Sequence, residues 1–580
     1  MDDGSTESST ERCTEIVEQR DAALAGAKAR LFALAVVVIA IALQLPTYDR
    51  AIVPMDEGHL AAVAGWLQTG KLLYRDLHTG VFPGIYHLTA VLFAIVGENL
   101  VVARIAEVCA ITTIALCLWL VGVRTIGKGW AIVAPALYLA LVPIAFPVLA
   151  MFNYSSLALT LSIVSFYLLV RLLDEGERGV AIALGTTLAL AVFSKQNFGA
   201  LTFIAVLIGL IANRKHSALA ERSWAAILLP IAASGIAVTL CFVAYFVATG
   251  TLFDFLNATV IQLGGNQLES YNNPIPSVLG HLPVDDGRFI FMYSPPYLFN
   301  KMLHGEAILG TGIDEHLLSL TIRLSYGIPL AGLIGGVFVW WFDVGNQGVR
   351  DRRNTRITVL FALLFFLGIF PSAVWSHLAF ILAPVLFLLG LLGARCDRAL
   401  SIRKPSASTA FRATAAGLVG FASLLGMMAS ADIARWNPVP LDLPRGDVYV
   451  SQSQADIYRN ASIFVEQCAE EDEAIFVAPY MPVVYFLTGK DNVSRYDLTI
   501  PGDVDGQLII DSLEADQTRC IVYNPVMYPE FPPFRVLFPE LDVYIKQHYR
   551  PATRIEGGDE TWVGLVRKGS QGRGANGPSR

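Results

Sequence analysis

Charge is what this chain has least of. Only 16% of its 580 residues are Asp, Glu, Lys or Arg, against 54% that are hydrophobic, a balance that a soluble domain of this length does not tolerate. The chain therefore reads as a multi-span membrane protein. It also lacks a basic excess: 42 Lys and Arg against 49 Asp and Glu give a formal charge of -7. With no general basic surface for a phosphodiester backbone, nucleic acid is not an expected partner. Cysteine is scarce, seven in all, and no spacing resembles a zinc site. No internal repeat or low-complexity tract is evident.

Apolar sequence is what is abundant. A spanning helix needs roughly 20 apolar residues, and about eleven runs meet or approach that: 31–47, 100–122, 130–149, 154–172, 180–194, 198–212, 223–248, 319–342, 357–371, 374–394 and 412–430. Residues 1–30 carry seven acids, four bases and no apolar stretch, which reads as a cytoplasmic tail rather than a signal peptide. A further stretch, Phe82 to Val96, is short and holds Pro83, Gly84, Tyr86 and His87. If it lies along the surface, Arg124 and Lys128, Arg171 and Arg178, Arg214 with Lys215 and Arg222, Arg350 to Arg356, and Arg395 to Arg412 all fall on the side of the N-terminal tail. If it spans, those basic loops all turn outward, against the positive-inside tendency.

Phe82 to Val96 is therefore predicted to be juxtamembrane. The expected fold is a polytopic α-helical membrane protein of about 11 spans over residues 31–430, N-terminus cytoplasmic, with the loops 48–99 and 250–317 on the outer face. After about Ala431 apolar runs shorten to strand length, as in Ala474 to Val477, Cys520 to Tyr523 and Trp562 to Val566, and Leu508 to Arg519 reads as a helix. Residues 431–567 are thus an expected extracytoplasmic α/β domain, and the Gly-, Ser- and Arg-rich 568–580 a disordered tail. Cys13 and Cys396 fall on the cytoplasmic side, and Cys109, Cys117 and Cys241 inside apolar runs. Cys468 and Cys520 lie in the outer domain, where they are either a disulfide or two separate buried thiols.

The first outer loop is the richest stretch: Met55-Asp56-Glu57-Gly58-His59, then Trp66, Gly70-Lys71, Tyr74-Arg75-Asp76 and Phe82-Pro83-Gly84-Ile85-Tyr86. Two adjacent carboxylates at a membrane exit suit a proton acceptor and its partner. Taken alone, each residue has a structural explanation: Asp56 as the cap of a helix beginning at Glu57, and Tyr74 and Tyr86 as interfacial anchors. Together they exceed what a connection between spans needs.

The order of an acidic pair after the first span, Gly-Lys-Leu-Leu-Tyr-Arg-Asp, a Pro with an apolar surface helix ending in Gly97, Arg104 in the second span, and Ser194-Lys195-Gln196 resembles the GT-C superfamily of polyprenyl-phosphate-sugar-dependent glycosyltransferases. The likeness is to the branch of protein O-mannosyltransferases and the lipid A aminoarabinose transferase. It implies an integral plasma (inner) membrane enzyme that moves a sugar from a polyprenyl-phosphate donor to the hydroxyl of an acceptor glycan, lipid or protein, with inversion, at the outer face. Asp56 matches the position of the general base, with Glu57 holding the acceptor or orienting Asp56. Lys195 matches the family's lysine, and three donors on a cation suit a leaving phosphate; a snorkelling lysine is the competing explanation. Arg104, inside a span, needs a carboxylate or phosphate partner. Tyr74, Tyr86, Gln196 and His377 are the expected substrate-binding side chains, with Trp375, Tyr271, Tyr297 and Arg288 as further pocket candidates.

One departure is visible. Relatives carry a second acid at the start of the fourth span, where this chain reads Met151-Phe152-Asn153-Tyr154-Ser155. No metal requirement and no cofactor are therefore expected. Two alternatives belong to other classes: a transporter or flippase using Arg104, Glu107 and Lys195 along a path, or a non-catalytic component that binds a lipid-linked sugar.

Overall fold

The computed structural model describes residues 28–262, 272–308, 312–342, 348–499, 504–525, 533–558 and 560–569. Nearly all of the expected tails 1–30 and 568–580, with Cys13 and Tyr271, lie outside the described residues.

Helix α1 covers 28–44, followed by α2 (Asp56–Gln68), α3 (Gly84–Val96), α4 (Leu100–Thr125), α5 (Val133–Ile144), α6 (Tyr154–Glu175), α7 (Arg178–Ser194), α8 (Gln196–Asn213), α9 (Trp224–Ala248), α10 (Glu315–Phe342), α11 (Val349–Phe366), α12 (Trp375–Arg403) and α13 (Pro405–Trp436). Seven described helices are long and apolar enough to cross a membrane: α4, α6, α8, α9, α10, α12 and α13. The shorter α5 and α7 pack among them, consistent with the larger number expected. At roughly 1.5 Å per residue, the 13 residues of α3 reach about 20 Å, too short for a hydrocarbon core of about 30 Å.

Polar residues set the helix ends. Asn99 accepts from Val101 N at 3.0 Å, and Asn153 accepts from Ser155 and Ser156 N at 2.8 and 3.0 Å. Asn153 is thus the cap of α6. At one end of the bundle the basic loops meet acids: Arg124, Arg350 and Arg353 converge on Asp174, and Arg395 and Arg398 on Asp351. The first loop and the C-terminal domain occupy the opposite end.

That domain carries α14 (Gln452–Cys468), α15 (Val483–Thr488), α16 (Gly506–Ala515) and α17 (Pro539–His548) around a sheet of β1 (Phe476–Ala478), β2 (Cys520–Tyr523), β3 (Tyr549–Gly557) and β4 (Glu560–Arg567). The sheet order is β1-β2-β4-β3, with β1 and β2 parallel and the other pairs antiparallel. Cys468 and Cys520 form a disulfide, Cα to Cα 5.9 Å, tying α14 to β2. Strand alternation splits the core: Phe476, Ala478 and Ile521 join α16 and α17, whereas Val477, Cys520 and Val522 share a cluster with Leu60, Val63, Trp66, Tyr86 and Phe93 of α2 and α3. The expected separate domain therefore has half its core in common with the first loop.

The junction is tight. A Cβ on Gly58 would lie 2.3 Å from Val483 N, and one on Gly84 would lie 2.7 Å from Phe193 O, so α2 meets α15, and α3 the end of α7, backbone to backbone.

Candidate active site

Helix α2 begins at Asp56 itself; Met55 is its cap residue and no side chain caps it. The expected capping role of Asp56 is thus not what the structure shows. Its carboxylate is half-buried and, among the described residues, takes no side-chain hydrogen bond. Burial pushes its pKa up from the ordinary carboxylate value, and the charges of His59 and Lys195 pull against that. The Tyr86 and Tyr154 hydroxyls also feel the Asp56 charge.

Lys195 is the single extended residue between α7 and α8 (φ -150°, ψ 117°), a break that brings an ammonium to the joint of two apolar helices. Nζ donates to Ser155 Oγ at 2.9 Å and lies 4.2 Å from the Phe198 ring centroid and 5.3 Å from that of Tyr154. Burial in this apolar surround pushes it down to about 7, with Asp56 opposing. Asp56 and Lys195 thus lie within electrostatic reach of each other without closing a salt bridge. The open first turn of α8 lies at the same point, where backbone N–H groups favour an anion. His377, half-buried at the start of α12, binds Ser372 O through Nδ1 at 2.7 Å and is within electrostatic reach of Lys195.

Other expected site residues have different occupations. The Glu57 carboxylate takes Arg104 on both oxygens, Oε2 from Nη2 at 2.7 Å, and accepts from Val53 N at 3.2 Å. The Arg104 guanidinium, 0% exposed, also donates to the carbonyls of Arg50, Ala51 and Ala150 at 3.2, 3.0 and 3.3 Å. Of its two expected partners, carboxylate or phosphate, the structure supplies the carboxylate, and no donor is left for a phosphate. Glu57 is correspondingly turned away from Asp56. Tyr74 is fully buried, its hydroxyl donating to Val81 O at 2.8 Å and its ring against Phe246 and Phe255, so neither substrate contact nor interfacial anchoring describes it. Gln196 donates to Gly80 O at 3.1 Å, fastening α8 to the first loop. Tyr297 belongs to an ion cluster with Asp432 and Lys301, and Trp375 is buried.

Tyr86 does reach the site, through partners that sequence reading passed over. Its hydroxyl is 2.9 Å from His59 Nε2 and 2.8 Å from Thr79 Oγ1, and His59 Nδ1 is 2.7 Å from Asp497 Oδ2 of the C-terminal domain. Tyr154 and Ser155, beside Lys195, were likewise visible only as a stretch lacking an acid. Among the described residues no group of three or more His, Cys, Asp or Glu converges as a metal site would.

Residues 79–247, from the end of the first loop through α9, match the dolichyl-phosphate-mannose-protein mannosyltransferase family. No curated protein matches the chain in sequence. Among solved structures, the chain is similar to ArnT from Cupriavidus metallidurans bound to undecaprenyl phosphate (14% identity, 92% of this chain and 97% of that one, TM-score 0.45). It is also similar to the oligosaccharyltransferase AglB from Archaeoglobus fulgidus, in complex with an inhibitory peptide and a dolichol-phosphate (12% identity, 93% and 74%, TM-score 0.48). A third likeness is to the arabinofuranosyltransferase AftD from Mycobacteria (13% identity, 93% and 41%, TM-score 0.46).

Proposed function

We propose that this integral membrane protein is a GT-C-type glycosyltransferase that transfers a sugar from a polyprenyl-phosphate donor with inversion, at the outer face of the plasma membrane, using Asp56 as general base and Lys195 to hold the donor phosphate. The acceptor hydroxyl oxygen bonds to the anomeric carbon, the bond from that carbon to the phosphate oxygen breaks, the hydroxyl proton passes to Asp56, and polyprenyl phosphate leaves. One observation carries this reading: a carboxylate without a side-chain hydrogen bond and a lysine ammonium that donates to Ser155 lie close enough for each to feel the other's charge without pairing. General-base assistance is worth roughly 10²–10⁴-fold, and a cation fixed beside the leaving group adds to it as negative charge develops there. With the leaving charge met by Lys195, and Asn153 engaged as a cap, the reading assigns no step to a metal. The clustering of basic loops at the end opposite Asp56 supports a cytoplasmic N-terminus and an extracytoplasmic C-terminal domain.

Asp56→Asn tests it. Because no partner is orphaned, the variant is expected to fold, and mass spectrometry of its cells should show a polyprenyl-phosphate sugar accumulating as it does when the protein is absent. Normal lipid-linked sugar levels in Asp56→Asn cells would sink the assignment and favour a carrier or scaffold that does not use this carboxylate.

A further inference from the structure

His59 follows Asp56 by three positions on α2, so the two side chains share a face of the helix. Its imidazole is the middle of a chain whose far end comes from the C-terminal domain: Asp497 Oδ2 at 2.7 Å from Nδ1, the Tyr86 hydroxyl at 2.9 Å from Nε2, and Thr79 Oγ1 2.8 Å beyond. The Asp497 side chain is 3% exposed. An ionised carboxylate only accepts, so the Nδ1 proton is held on the Asp497 side. With neutral His59, the Tyr86 hydroxyl donates to Nε2 and Thr79 donates to Tyr86. With charged His59, Nε2–H donates to the Tyr86 oxygen and the Tyr86 proton turns to Thr79. Both charge states are satisfied, and the carboxylate beside Nδ1 favours the charged one.

Among the groups facing His59 are Asp497, Tyr86 and Asp56; among those facing Asp56 are His59 and Lys195, with the Tyr86 and Tyr154 hydroxyls. A positive His59 favours the ionised form of Asp56, the form a base needs.

We propose that Asp497 is a positioning residue of the active site: reaching in from the C-terminal domain, it fixes the His59 imidazole between Tyr86 and Asp56 and sustains its positive charge beside the carboxylate. The site is then complete only when that domain is seated on the first loop, where Val483 N donates to Pro54 O at 3.4 Å, His78 N donates to Arg495 O at 2.9 Å, and Lys71 Nζ pairs with Asp491 at 3.1 Å. This inference rests on the reading of Asp56 as the base.

The test uses full-length protein in liposomes, with the polyprenyl-phosphate-sugar fraction extracted from cells lacking the protein as donor and their envelope fraction as acceptor. In Asp497→Asn, the acid limb of the kcat/KM profile should move to higher pH by about one unit, with plateau activity falling roughly tenfold. Asp497→Glu should restore part of both. His59→Gln breaks the pair from the other side and should move the same limb in the same direction. Independently of turnover, the 15N resonances of His59 should titrate at lower pH in Asp497→Asn than in the parent protein. An unmoved acid limb in Asp497→Asn and His59→Gln, or an unmoved His59 titration in Asp497→Asn, would overturn the proposal while leaving Asp56 as base. Retained transfer in Asp56→Asn would instead defeat the base reading itself.

Discussion

Removing the Glu57 carboxylate leaves Arg104, 0% exposed, without its hydrogen-bonded counter-charge. Breaking a buried ion pair from one side typically costs about 3–5 kcal/mol, because the remaining charge stays buried. Here the guanidinium keeps three backbone carbonyls, those of Arg50, Ala51 and Ala150. Glu57→Gln, which preserves an acceptor oxygen, should therefore fall near the low end, about 3 kcal/mol, whereas Glu57→Ala adds an unfilled volume and should approach about 5 kcal/mol. Arg104→Gln should destabilise comparably, by stranding the carboxylate. The double variant Glu57→Gln/Arg104→Gln strands no charge and should be less destabilised than the sum of the singles by roughly 2 kcal/mol, within the range for residues in contact. Thermal unfolding of the detergent-solubilised protein reads all four. The pair joins α2 and α4 to the chain segments that follow α1 and α5, so a loosened pair also displaces Asp56, and kcat should fall along with the melting midpoint. If Arg104→Gln melted at the parental temperature while the donor KM rose tenfold or more, the ion-pair reasoning would be refuted and Arg104 would return to the donor phosphate.

Lys195→Met should lower kcat/KM by roughly 10²–10³-fold without lowering the melting midpoint, since the ammonium sits where burial disfavours it. The pH profile carries the sign: Asp56 must be ionised and burial raises it, so activity fails on the acid side above the ordinary carboxylate range; Lys195 must be protonated and burial lowers it to about 7, so donor capture weakens as pH rises beyond that value. An alkaline limb that persists in Lys195→Met would assign it to another group. Gly58→Ala drives a Cβ against the Val483 backbone and should cost roughly 1–3 kcal/mol and most of the transfer activity, whereas Gly417→Ala, with open space around its Cα, should do neither; parental activity in Gly58→Ala would show that the domain need not seat on α2.

The helices were legible because a bilayer demands one continuous apolar run per crossing: the expected 154–172 and 223–248 appear as Tyr154–Glu175 and Trp224–Ala248. Cys520 to Tyr523 was legible as a strand because both its faces are covered. Tyr549–Gly557 was not, because it is an edge strand exposed over most of its length and carries little apolar alternation. Arg104 announced that it needed a partner, yet choosing between carboxylate and phosphate required knowing that Glu57 approaches it across 47 positions of sequence. Asp497 lies 438 positions from His59; nothing local marks it, since their meeting depends on how the C-terminal domain settles on the first loop.

One part of the site follows from helical phase alone. Adjacent residues on a helix point about 100° apart, so two neighbouring carboxylates cannot both face one pocket, while positions three apart can. With α2 beginning at Asp56, helical phase sends Glu57 toward α4 and Arg104, and returns His59 to the Asp56 face. An acid and a histidine at i and i+3 are therefore the pair that helical phase selects in Asp56-Glu57-Gly58-His59, and under the proposed function the two adjacent acids divide between chemistry and structure because the helix leaves them no common direction.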